Sequence, residues 1–98
     1  MLSTIPINLE RVEGEDIDNE ILRVGMIAEL DAVNLYEQLA AIARNNKVKK
    51  VLLDIAKEEK THVGEFQAML LQLDKEQVKE LEEGRKEVEE MKSLIERK

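Results

Sequence analysis

Two long stretches of helically spaced apolar residues, separated by only four polar residues, constrain the fold of this chain most strongly. Their spacing predicts amphipathic helices over about residues 16–44 and 48–73, each about 40 Å long. The polar residues 44–47 (Arg-Asn-Asn-Lys) predict a turn, because asparagine tolerates the left-handed conformation that closes a helix. The apolar positions are Ile17, Ile21, Leu22, Val24, Met26, Ile27, Leu30, Val33, Leu35, Leu39 and Ile42, then Val51, Leu52, Ile55, Val63, Phe66, Met69, Leu70 and Leu73.

A third helix is predicted over about residues 75–97, where Asp74 and Gln77 have the spacing of a capping box. Its apolar stripe is thin and surrounded by charges, which favours a solvated helix held by ion pairs over a specific interface. Gly84 is expected to mark a bend or break. Residues 1–15 form a leader expected to be extended or disordered, so residues 16–98 are predicted to be a single helical domain.

Composition favours an all-α fold and excludes several functions. The 98 residues include only four glycines and one proline, and no stretch alternates with the period of a strand. The formal net charge of −7 argues against general nucleic-acid binding, and the absence of cysteine excludes disulfides and thiolate metal sites. No apolar run reaches the roughly 20 residues of a membrane span, and the N-terminus lacks a signal sequence. We therefore expect a soluble, cytoplasmic chain that binds neither nucleic acid nor membrane.

The predicted hairpin has apolar faces too broad to be covered by one chain. The arrangement that best covers these faces is a four-helix bundle built from two chains. A monomer with the third helix folded back is the alternative, but the stripe on that helix is too narrow to cover both partners. The fold class is therefore predicted as an antiparallel two-helix hairpin plus a C-terminal helix, dimerising into a four-helix bundle.

Two glutamates lie where the helical pattern predicts core. Residues three, four and seven positions from Glu29 and from Glu59 carry no charge apart from His62, whereas Glu58 has acidic neighbours and is expected at the surface. A buried carboxylate is costly unless it is protonated, paired or bound to metal. Both glutamates are therefore candidate metal ligands.

His62 follows Glu59 by three residues, and Glu-x-x-His lets one bundle helix offer an oxygen and a nitrogen to the same metal. Glu29 would supply the opposing carboxylate, and these donors suit iron, manganese or zinc. The alternative for His62 is a surface histidine paired with a neighbouring glutamate. Tyr36, two turns after Glu29, has two interpretations as well: core packing, or a hydroxyl that orients a ligand.

A di-iron or di-manganese carboxylate bundle takes one glutamate from each of two helices and Glu-x-x-His from each of two others. This chain holds one of each, which is half a site. Two copies related by a two-fold axis would complete a centre with two metals across their interface.

Two segments together resemble the encapsulated ferritin family: residues 29–36, Glu-Leu-Asp-Ala-Val-Asn-Leu-Tyr, and residues 58–62, Glu-Glu-Lys-Thr-His. The resemblance covers about residues 20–73 and implies a ferritin-like bundle, with dimers assembled into rings such as a decamer. It implies a ferroxidase that oxidises Fe(II) with dioxygen at a di-iron centre, inside a cytoplasmic encapsulin nanocompartment where iron is stored. By position, Glu29, Glu59 and His62 would bind iron, with Tyr36 as a neighbour in the catalytic centre.

The chain also departs from that family. Of a cluster through which metal can enter, only Asp31 remains, and residues 93–98 do not resemble the apolar tail that docks cargo to a shell. The resemblance therefore implies either another loading signal or a domain fused to its shell protein.

Two other functions remain open from the sequence. One is a non-catalytic helical assembly or adaptor module, in which the Glu/His cluster is structural. The other is a rubrerythrin-like peroxide reductase, although such enzymes usually need a cysteine-ligated iron domain and cysteine is absent here.

Overall fold

The computed structural model describes residues 16–96, which fold into three α-helices without any strand. Helix α1 spans Ile17–Ile42, α2 spans Asn46–Leu73 and α3 spans Lys75–Glu96. The all-α prediction is confirmed, with α1 ending two residues earlier and α2 beginning two residues earlier than predicted. The predicted leader lies outside the described residues. No helix within residues 16–96 is long and apolar enough to cross a membrane.

The connection between α1 and α2 is a three-residue loop whose asparagine caps the second helix. The side-chain oxygen of Asn45 accepts hydrogen bonds from the amides of Lys47 at 2.8 Å and Val48 at 3.1 Å. Asn45 has φ −82° and ψ 126°, so the predicted left-handed asparagine is wrong. The physical reason is that the first amides of α2 lack partners inside the helix, and a capping carboxamide satisfies two of them.

The junction between α2 and α3 is capped as predicted. Asp74 accepts a hydrogen bond from the amide of Gln77 at 3.0 Å, which satisfies one free donor at the start of α3. The other oxygen of the same carboxylate lies 3.5 Å from the guanidinium of Arg23 on α1. Asp74 therefore ties all three helices together at this end of the hairpin. At the start of α1, Asp16 occupies the capping position but makes no side-chain capping bond.

Helix α3 is a solvated helix, as its charge pattern predicts. None of its residues is buried, and three ion pairs with three-residue spacing run along it. In the shortest, Arg85 and Glu82 approach to 2.7 Å, and this hydrogen bond lowers the pKa of the Glu82 carboxyl. The helix continues unbroken through Gly84, so the predicted break is wrong, while the alternative of a bend stays a prediction. The tolerance of an exposed helix for one glycine explains this.

The hairpin of α1 and α2 forms the core, and α3 leaves most of it uncovered. The molecule measures 50 × 45 × 22 Å, and two packed helices alone cannot fill the second dimension, so α3 extends away from them. Only four apolar residues in the described chain are buried, namely Val33, Ala40, Ala56 and Leu70. Large apolar side chains on both hairpin helices stay exposed, including Ile21, Leu30, Ile42, Val51, Leu53 and Met69. The folded chain therefore presents broad apolar faces.

Candidate metal centre

The three predicted ligands meet at the middle of the hairpin. Glu29 lies halfway along α1, and Glu59 and His62 lie one turn apart on α2. Residues three apart on a helix share a face, and the antiparallel packing places that face opposite Glu29. The two helices therefore bring the three side chains together from positions 33 residues apart in the chain.

The imidazole of His62 contacts both carboxylates through one nitrogen. Its Nδ1 is 3.3 Å from Oε2 of Glu29 and 3.3 Å from Oε2 of Glu59. All three ligand atoms lie within 4.8 Å of one another, the one such group of three in residues 16–96. A distance of 3.3 Å is slightly long for an N–H···O hydrogen bond.

The same spacing fits a shared metal ion. Two ligand atoms about 2.1 Å from one cation lie about 3.0 Å apart in octahedral geometry and about 3.4 Å apart in tetrahedral geometry. The observed 3.3 Å falls within that range. Metal binding through Nδ1 requires its lone pair, so the imidazole proton would then reside on Nε2. The donor set and its spacing therefore fit a metal ion.

The single chain only half-buries the cluster. The Glu29 and Glu59 side chains are 21% and 19% exposed, and that of His62 is 44% exposed. Glu58 is exposed, as predicted. The predicted burial of Glu29 and Glu59 is thus only partly reached, because the face that carries them is open to solvent in one chain.

No lysine or arginine in the described residues forms an ion pair with Glu29 or Glu59. The nearest lysine along α2, Lys60, pairs instead with Glu37 at 3.2 Å. Both carboxylates thus share Nδ1 of His62 as their ion-pair partner. A bound cation would relieve the mutual repulsion of the carboxylates.

The two remaining predicted site residues lie outside the cluster. Tyr36 is half-buried and seven residues from Glu29, about 10.5 Å along the helix axis. Its hydroxyl makes no hydrogen bond to the cluster within the described part of the chain. Asp31 is also half-buried, but two residues from Glu29 places it on a different face of α1. Their roles in ligand orientation and metal entrance stay predictions.

A close helix contact beside the cluster was missed by the sequence reasoning. A Cβ placed on Gly25 would lie 2.7 Å from the ring of Phe66. The available signal was a glycine inside an apolar helical stripe, since such a glycine usually has a packing reason. Gly25 lies one helical turn from Glu29, and Phe66 lies one helical turn from His62.

Comparison with known proteins gives three findings over this domain. The sequence profile of the family described as rubrerythrin matches residues 20–98. A ferritin-like-encapsulin shell fusion protein of Pyrococcus furiosus is 52% identical over 96 residues, which cover 96% of this chain and 28% of that protein. The crystal structure of the encapsulated ferritin domain from Pyrococcus furiosus is similar with a TM-score of 0.78 and 53% identity, over 92% of this chain and 94% of that chain. The resemblance inferred from the sequence is confirmed.

Proposed function

This chain belongs to the rubrerythrin family, with a ferritin-like fold, and on that premise we propose that it is a ferroxidase. It oxidises Fe(II) to Fe(III) with dioxygen at a di-iron centre formed between two subunits. The observation that carries the proposal is the convergence of Glu29, Glu59 and His62 on one point, with ligand-atom distances of 3.3 Å. A carboxylate-rich set with one imidazole suits iron.

The centre is proposed to form across a two-fold axis. One chain supplies half of the ligand set that a di-iron bundle requires, so two chains supply four carboxylates and two imidazoles. The exposed apolar side chains of α1 and α2 give this pairing its driving force. Covering that face would also remove Glu29 and Glu59 from solvent.

Charge balance explains how such a site can take up Fe(II) and release Fe(III). Four carboxylates and two Fe(II) ions sum to −4 + 4 = 0, so the reduced pair is neutralised. Oxidation of both irons would transfer two electrons to one dioxygen, which takes up two protons from solvent and leaves as hydrogen peroxide, so the sum would become −4 + 6 = +2. The excess positive charge would favour departure of the product.

Release matters because a bundle of two such hairpins encloses no large storage cavity. We propose that the product passes to an encapsulin shell, and that the centre works inside a cytoplasmic nanocompartment. The relative from Pyrococcus furiosus, described as a ferritin-like-encapsulin shell fusion protein, supports this partner. The present chain spans 28% of that relative, so fusion to a shell is part of the proposal.

The test is aerobic addition of Fe(II) to purified protein, followed by Fe(III) absorbance and oligomer mass. Wild type is compared with Glu29→Ala, Glu59→Ala, His62→Ala and the matched control Glu58→Ala, whose side chain is exposed next to the site. We expect wild type and the control to oxidise iron faster than buffer, and the three ligand variants to fall to the buffer rate. A wild-type rate equal to buffer, with normal assembly, would refute the ferroxidase and favour a structural or adaptor role.

A second candidate is peroxide reduction, which the rubrerythrin family match favours. The same assay separates the two activities when hydrogen peroxide replaces dioxygen under anaerobic conditions. Faster Fe(II) oxidation with peroxide than with dioxygen would support the peroxide reductase. We expect dioxygen to be the better oxidant, because no cysteine in this chain can hold a second iron site that delivers electrons.

A further inference from the structure

Gly25 of α1 lies directly beneath the aromatic ring of Phe66 on α2. A Cβ added at Gly25 would lie 2.7, 2.8 and 2.9 Å from three carbons of that ring. Carbon atoms in ordinary contact are about 3.5 Å apart or more. The ring therefore rests on the backbone of α1, and a side chain at position 25 would require the ring or the helices to shift.

This contact is adjacent to the proposed metal centre on both helices. Gly25 precedes Glu29 by four residues, and Phe66 follows His62 by four residues. Four residues advance a helix by about 6 Å, so the two helices touch one turn away from the cluster. The distance between α1 and α2 at the Phe66 ring therefore also determines their distance at the ligand cluster one turn away.

The ligands depend on this separation unequally. Glu59 and His62 share α2, so their 3.3 Å distance is fixed within one helix. Glu29 reaches His62 from the other helix, so its 3.3 Å distance changes when the helices move apart. Glu29 is the ligand that a spacer between the helices would position.

We propose that Gly25 and Phe66 are positioning residues that hold Glu29 at the distance needed to share a metal with Glu59 and His62. The inference rests on the proposed metal-binding function. A methyl group at position 25 lies about 0.8 Å short of ordinary contact with the ring, the difference between about 3.5 Å and the 2.7 Å found here. Metal–ligand distances tolerate only about 0.2 Å. Displacement of α1 by a fraction of that overlap is enough to weaken the site.

The chain provides a matched control for this substitution. Gly64 is also internal to a helix and lies two residues from His62, but nothing lies within 4 Å of a Cβ placed there. Alanine favours helix over glycine at both positions. Gly25→Ala and Gly64→Ala therefore share their chemistry and differ in the ring contact.

The experiment measures Co(II) affinity by competition with a chelator, together with the Co(II) absorption spectrum, which needs no catalytic turnover. The variants are Gly25→Ala, Gly64→Ala, Phe66→Leu and the double variant Gly25→Ala/Phe66→Leu. We expect Gly25→Ala to bind about 10- to 100-fold more weakly with an altered spectrum, as losses of supporting contacts at metal sites do. Gly64→Ala should stay near wild type. Phe66→Leu removes the ring that sets the helix separation and should also weaken Co(II) binding. The double variant should recover most of the loss, because the methyl group at position 25 then meets no ring.

Global destabilisation is separated from positioning by Asn45→Ala, which removes a helix cap at the far end of the hairpin. If Gly25→Ala weakened Co(II) binding only by destabilising the fold, Asn45→Ala should weaken it by the same factor when both variants lose the same free energy of unfolding. Wild-type Co(II) affinity in Gly25→Ala would refute the positioning role of Gly25 and Phe66 without contradicting the proposed metal site. Weak binding that the double variant fails to recover would overturn it as well. If Gly25→Ala does not fold, the Co(II) affinity of the double variant tests the proposal instead. Absence of Co(II) binding in wild type would instead refute the proposed metal-binding function itself.

Discussion

Replacing Glu59 by glutamine is expected to stabilise the metal-free protein and to remove its stabilisation by metal. The ligand oxygens of Glu29 and Glu59 lie within 4.8 Å of each other. At that distance two unit charges repel by about 3.5 kcal/mol at an effective dielectric constant of about 20, and by about 0.9 kcal/mol in bulk water. Both side chains are about one-fifth exposed, so the gain for Glu59→Gln falls between these limits, at about 1–3 kcal/mol.

The assay is urea unfolding at pH 8, at one fixed protein concentration, with a chelator and then with Co(II). Wild type should gain about 2.7 kcal/mol from metal at 100 times its dissociation constant, and Glu59→Gln should gain much less. Glu58→Gln is the control, since it makes the same change on an exposed neighbour. The electrostatic reasoning is refuted when Glu59→Gln is no more stable than Glu58→Gln without metal, or responds to metal as wild type does.

Three further substitutions test how the helices are held. Asn45→Ala removes an acceptor for two amides and should cost about 1 kcal/mol of unfolding free energy, measured with urea; a loss no larger than that of Asn46→Ala would contradict the capping role. Asp74→Ala removes both the cap on Gln77 and the ion pair with Arg23, and should cost about 1–2 kcal/mol with faster amide exchange in the first turn of α3. Unchanged exchange there would show that α3 needs no cap. Gly84→Ala meets nothing within 4 Å and should raise helicity and stability by up to about 1 kcal/mol; destabilisation, followed by circular dichroism on heating, would indicate a hidden contact at this position.

The fold was largely predictable because its strongest signals are periodic. Helical spacing on both sides of a short polar stretch predicts a hairpin, and the spacing of Asp74 and Gln77 predicts the third helix start. The details of the turn were not predictable in the same way. Asparagine serves both as a left-handed helix terminator and as an N-cap, and the sequence does not distinguish the two. At Asn45 the unsatisfied amides of α2 decide in favour of the cap.

The cluster was also predictable, because each part of it lies on one helix. Uncharged neighbours single out Glu29 and Glu59, and the three-residue spacing brings in His62. The helix separation that joins the two parts depends on contact between Gly25 and Phe66. That contact pairs residues 41 positions apart (66 − 25), so no local pattern encodes it. The half-burial of the cluster was not predictable from local patterns either, because it depends on how much of this face the rest of the chain covers.

The antiparallel hairpin fixes an order in which contacts can form during folding. Loop-closure entropy rises with sequence separation, so contacts next to the short turn at residues 43–45 close first and pairing spreads outward. The bond between Glu29 and His62 spans 33 residues, and the bond between Arg23 and Asp74, which spans 51, closes after it. A cation bound at the middle of the hairpin would limit local unfolding. The two helices could then separate from their free end as far as the ligands but not beyond them. Native-state hydrogen exchange should then slow with metal for amides between residues 30 and 61, while amides of residues 17–25 and 66–73 keep their rates.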